Sequence, residues 1–150
     1  MEKLTRLTDN FIWGESWSSI RLARITFKRA VEPCTVFLDS INNTAENIQK
    51  VRNTLNEEYF YNRQVGTRNR KDEIIIRVNS WWRTKIFQDY LYTSGKSTVS
   101  ISKHQTGIAI DIARVPGFTV RQLRDFIISE CETDFTKIIE YKWGLHLDSR

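Results

Sequence analysis

Gly107-Ile108-Ala109-Ile110-Asp111-Ile112 alternates isoleucine with small or acidic residues. A period of two predicts a half-buried strand. On such a strand Gly107, Ala109 and Asp111 share one face, and the three isoleucines pack into a core. Leu145-His146-Leu147-Asp148 alternates in the same way, so His146 and Asp148 share a face opposite two leucines. Placed side by side, the two strands carry Asp111 and His146 on one sheet surface. His104 stands just before the first strand, and a bend at Gln105-Thr106 brings its ring toward Asp111. The chain has only two histidines, and both fall in this reading.

The rest of the chain supplies the partners for that sheet. Thr8 or Asp9 is a candidate cap for a short helix through Phe11-Ile12-Trp13. Thr35-Val36-Phe37-Leu38 is a short apolar segment of open type. A helix is expected from Thr44, with Ile48, Val51, Leu55 and Tyr59 recurring every three to four residues. Residues 60–72 read as a basic loop. Glu73-Ile74-Ile75-Ile76-Arg77-Val78 is rich in β-branched residues and predicts a strand. Arg83–Thr93 reads as a helix ended near Gly95, and Thr98–Ser102 as another strand. Pro116-Gly117 marks a turn. Thr119 is a candidate cap for a helix through Cys131, with Leu123, Phe126 and Ile127 on its core side. Lys137–Tyr141 and Gly144–Asp148 close the sheet. Helices followed by a mostly antiparallel sheet with one inserted helix predict an α+β fold, helices packed on a sheet that carries the site.

Composition sets bounds on function. The chain has 150 residues, enough to bury one sizeable core, and a single domain over residues 1–150 is expected. With 40% hydrophobic and 12% aromatic residues it is predicted to fold rather than remain disordered. No apolar run reaches the roughly 20 residues a membrane-spanning helix needs. Met1-Glu2-Lys3-Leu4-Thr5-Arg6 is not followed by a signal-peptide core, which predicts a protein made and kept in the cytoplasm unless another factor exports it. Cys34 and Cys131 match no metal motif, and free thiols are expected. The formal charge of +5 favours anionic polymers such as peptidoglycan, teichoic acid or nucleic acid. Arg63, Arg68, Arg70 and Lys71 form one dense basic patch, which reads as a solvated loop. No nucleic-acid-binding signature accompanies it, and no nucleic-acid partner is expected. A monomer is expected.

Two histidines and one aspartate suit zinc, with a fourth position left for water, an arrangement typical of catalytic zinc. Ser102, His104, Gly107, Ala109 and Asp111 follow S-x-H-x-x-G-x-A-x-D, and His146-Leu147-Asp148-Ser149-Arg150 follows H-x-D-x-R. This pattern resembles the zinc D-alanyl-D-alanine carboxypeptidases and their peptidoglycan L,D- and D,D-endopeptidase relatives, including the phage endolysin branch. Ser80 and Arg83 in Asn79-Ser80-Trp81-Trp82-Arg83 are similar to that family's upstream S-G-Y-R element. The resemblance covers roughly residues 45–150. It implies a hedgehog/DD-peptidase-like fold, Zn²⁺ held by His104, Asp111 and His146, and a peptidoglycan stem or cross-link peptide as substrate. It further implies that Arg83 contacts the substrate and the developing oxyanion, with Ser102 and Trp143 as substrate-side residues. Aromatic walls at Trp81, Trp82 and Trp143 suit sugar or peptide, although tryptophans more often pack the core.

One position departs from the pattern. Many relatives place an acid three residues before the last histidine, and here that residue is Trp143. Glu140 is the first candidate for a substitute base, through a turn at Gly144. Asp148 is the second, unless it orients a ligand instead. Two other classes stay open: a non-catalytic metal-binding module that holds an anionic ligand, and a phage structural or counter-defence protein on the same scaffold.

Overall fold

The computed structural model describes Thr8, residues 35–60 and residues 73–150. The expected helix at residues 11–13, the basic loop at 61–72 and Cys34 lie outside the described residues. The elements follow in the order α1 (Leu38–Leu55), β1 (Val78–Ser80), α2 (Lys85–Thr93), β2 (Ala109–Ala113), α3 (Val120–Glu130), β3 (Phe135–Tyr141) and β4 (Gly144–Ser149). A 3₁₀ turn at Thr35–Phe37 leads into α1, and a π-helical turn at Asn56–Phe60 follows it. The four strands form one antiparallel sheet in the order β1-β2-β4-β3. This is an α+β fold.

The sheet has two unlike faces because strand residues alternate. Ile110 and Ile112 of β2 and Leu145 and Leu147 of β4 are fully buried, in one core with Ile41, Ala45, Ile48, Val51 and Leu55 of α1 and Leu123, Phe126 and Ile127 of α3. The spacing of those α1 residues makes a single apolar stripe, which is why the helix lies against the sheet. The other face carries Ala109, Asp111 and Ala113 on β2 and Gly144, His146 and Asp148 on β4, paired in that register.

Helix α1 starts six residues before the expected Thr44. Thr44 is fully buried in the second turn, and its hydroxyl donates to Ser40 O (2.9 Å) and Gly107 O (2.8 Å). A threonine bonded back to the i−4 carbonyl sits inside a helix and does not begin one. The expected strand at 73–78 reduces to Val78–Ser80. Asn56, just beyond α1, accepts from Ile74 N (2.8 Å) and donates to Ile74 O (3.2 Å), so a side chain takes the place of a strand partner. Residues 98–102 form no strand either. There Gln88 of α2 donates to Val99 O (2.8 Å) and Ser97 Oγ bonds the same carbonyl.

Helices α2 and α3 are set by their caps. Thr84 Oγ1 accepts from Phe87 N, so the helix begins at Lys85 and leaves Arg83 outside it. Thr119 and Gln122 form a reciprocal capping box at the start of α3, which ends at Glu130. Among the described residues no helix is long and apolar enough to cross a membrane.

Candidate metal centre

His104 is presented by a short 3₁₀ turn, Lys103–Thr106. Ser102 and Gln105 close that turn as a capping box, with Ser102 Oγ accepting from the His104 backbone N–H and Gln105 Oε1 accepting from Ser102 N (2.8 Å). Gly107 ends it at φ +79°, and a Cβ there would lie 2.6 Å from Ile41 Cγ1. Both the left-handed backbone and the close approach of α1 therefore require glycine. The Gly107 carbonyl accepts from Thr44 and from the buried Trp81 indole (3.3 Å). The turn is thus clamped between α1 and the segment after β1.

Asp111 and His146 are direct partners across β2 and β4. His146 Nδ1 lies 2.8 Å from Asp111 Oδ1, and His104 Nε2 lies 3.2 Å from both of those atoms. Among the described residues these three form a group that could hold a metal ion. Two donors about 2.0–2.1 Å from a tetrahedral zinc stand about 3.3 Å apart. The observed triangle of 2.8, 3.2 and 3.2 Å is close to that size.

The outer hydrogen bonds decide which atoms face inward. His104 Nδ1 lies 2.5 Å from the Trp81 carbonyl, an obligate acceptor, so Nδ1 carries the proton and Nε2 presents a lone pair. His146 lies between two carboxylates, with Nδ1 2.8 Å from Asp111 Oδ1 on the inner side and Nε2 3.2 Å from Asp148 Oδ2 on the outer side. Burial pushes His104 below the ordinary histidine range, which favours its neutral form. Burial alone would raise the Asp111 pKa, but His104, His146 and Arg83 together hold it well below the usual carboxylate range. His104 Nε2, Asp111 Oδ1 and His146 Nδ1 thus face one another, held by hydrogen bonds that a bound cation would replace. Such an N₂O donor set suits zinc.

A second layer fixes these donors. Arg83 Nη2 donates to Asp111 Oδ2 (2.8 Å), Nε to Ser80 Oγ (2.9 Å) and Nη1 to Gln88 Oε1 (3.3 Å). Lys103 Nζ donates to Asp148 Oδ1 and to Ser149 O, each at 2.7 Å. Arg83, Asp111, His146, Asp148 and Lys103 thus form one continuous polar chain across the sheet.

The other residues expected at the site fall in different places. Glu140 does not reach the cluster. It pairs with Leu145 in the sheet register, so it stands on the opposite face from His146, and it forms an ion pair with Arg124 of α3. The chain does turn at Lys142-Trp143, before Gly144, but the alternation of β3 still puts Glu140 on the other face. Gly144 opens β4 where a Cβ would meet Ile112 O at 1.9 Å. Asp148 is on the site face, but its carboxylate is shared between His146 and Lys103. Ser102 serves as the cap that presents His104. Trp143 is exposed in the β3–β4 turn and stacks on Tyr141. Trp81 is fully buried and Trp82 nearly so; both belong to the core.

Sequence reasoning missed Lys103 and Gln88. A glutamine on the apolar side of an amphipathic helix was a signal for the second. Lys103 gave none, because its partner is 45 residues away.

No family model matches the chain, and no curated protein matches it. Among solved structures it is similar to the L-Ala D-Glu endopeptidase ChiX of Serratia marcescens. The identity is 17%, the match covers 87% of this chain and 94% of that one, and the TM-score is 0.42.

Proposed function

We propose that this chain is a zinc-dependent peptidase acting on the peptides of peptidoglycan. The observation that carries the reading is the inward convergence of three possible ligand atoms, His104 Nε2, Asp111 Oδ1 and His146 Nδ1. The S-x-H-x-x-G-x-A-x-D and H-x-D patterns support the same assignment. Zinc held there supplies Lewis-acid polarisation of a scissile carbonyl and activation of water.

The chain's own residues do the rest. The Trp81 carbonyl fixes the His104 tautomer and Asp148 orients the His146 ring from its outer nitrogen, the usual role of outer-shell partners. Arg83 holds Asp111 by its second oxygen and keeps a cation beside the cluster, which favours negative charge developing on a carbonyl oxygen. The lysin-type assignment, with synthesis in the cytoplasm and action on the wall after release, rests on the motif resemblance.

One observation favours a second reading, a metal-binding module that holds a wall fragment without cutting it. Glu140 lies on the wrong face, and Asp148 meets His146 at Nε2, across the imidazole from the donor atom Nδ1. Neither carboxylate is poised as a general base. Purified sacculi separate the readings. A peptidase releases new amino groups from them, and a chelator stops the release. Binding without release supports the module instead.

A further inference from the structure

Tyr141 and Trp143 stack with ring centroids 4.9 Å apart and planes within 7° of parallel, and each is 43% exposed. Ile139 pairs with His146 and Tyr141 with Gly144, so Tyr141 stands on the same face of the sheet as the donor cluster. Beside Gly144 on that face is Ala113, its partner on β2. On that face Ile139, beside His146, puts one larger side chain on the floor between the aromatic pair and the cluster. At position 144 the floor cannot have one, because Ile112 O occupies the place of a Cβ. The turn that carries Trp143 is tied to the sheet by Arg114 N donating to Trp143 O (3.2 Å).

We propose that the Tyr141–Trp143 pair is a platform for a sugar ring, and that it seats the glycan end of the substrate while the peptide runs across the sheet face to the donor cluster. The proposal rests on the peptidase reading for the identity of the ligand. Each ring of a stacked pair keeps one open apolar face, edged here by a phenol hydroxyl and an indole N–H. A pyranose has the complementary form, a flat C–H face with a polar rim.

The register also sets a length. Tyr141 and His146 are offset by two residues along the strands and by one strand across, about 8 Å between Cα atoms. An extended chain covers about 3.3–3.6 Å per residue. A sugar on the platform thus brings a peptide bond within about two residues of the glycan to the cluster. Bonds near the lactyl end of the stem are favoured over bonds in the cross-link.

The zinc-loaded full chain is titrated calorimetrically with a disaccharide-tripeptide and, separately, with the same tripeptide lacking sugar. The sugar-bearing ligand is expected to bind at least tenfold more tightly. Trp143→Ala and Tyr141→Ala, checked for zinc content and near-UV circular dichroism, are expected to bring it down to the affinity of the bare tripeptide. Trp143→Phe keeps a flat face and is expected to retain most of the preference. Equal affinities in the parent chain, or a preference that survives both alanine variants, overturn the platform. Sacculus digestion tests the parent reading separately. Amino-group release without a sugar preference removes the platform and keeps the peptidase. A sugar preference without release keeps the platform and removes the peptidase.

Discussion

Asp111 and His146 face each other directly across two antiparallel strands, and Asp111 Oδ1 meets His146 Nδ1 at 2.8 Å. One backbone register therefore builds two-thirds of the candidate site. The third donor comes from a turn that the same strand follows, so β2 is the common support of all three. Sites held by strands vary less than sites held by loops. This arrangement leads to four predictions.

His104→Ala is expected to abolish stoichiometric zinc binding while the fold persists. The imidazole is buried, but it contributes to a polar cluster and is not part of the apolar core. Elemental analysis of the purified variant, with circular dichroism as the control, reads the outcome. Zinc at the parent level would remove the donor assignment.

Lys103→Met is expected to weaken zinc binding about 10- to 100-fold, the usual cost of losing an outer partner of a metal ligand. Lys103 touches no donor. It acts by holding Asp148, which holds His146. Competition with a chromophoric chelator measures the change, and Lys103→Arg is expected to restore most of it. Unaltered affinity in Lys103→Met would mean that Asp148 keeps its position unaided.

Arg83→Met is expected to cost roughly 3–5 kcal/mol of stability in the metal-free protein, because it leaves a buried carboxylate without its cation. Both side chains are largely buried, at 15% and 9% exposure. Zinc is expected to recover part of the loss by supplying a counter-charge to Asp111. Urea unfolding with and without zinc tests both parts. A small loss that zinc does not change would show that Asp111 relaxes toward solvent.

Glu140→Gln is expected to leave zinc content and turnover on sacculi unchanged, and to alter stability by less than about 1 kcal/mol. Its carboxylate is on the helix side of the sheet with Arg124, where both side chains are about one-third exposed. A large fall in turnover with zinc retained would return Glu140 to the site and contradict the β3 register.

The sequence by itself determined the alternating strands near 109–112 and 144–148, the amphipathic helices, the cap at Thr119 and the three candidate donors, while Gly107, expected on the strand, ends the turn before it. These signals are local: a period of two or 3.6, a capping pair, a motif within ten residues. Tertiary structure alone decided the rest. The run at 73–77 has high strand propensity, yet Asn56 takes the N–H and C=O of Ile74, and the strand begins only at Val78. Thr44 looks like a cap until Gly107 arrives from 63 residues away to accept its hydroxyl. Glu140 and His146 are close in sequence but on opposite faces, because pairing across a hairpin assigns faces by register and not by distance along the chain. Lys103 meets Asp148 only when the 3₁₀ turn settles beside β4. Each of these depends on a partner far along the chain, and local propensity carries no information about such partners.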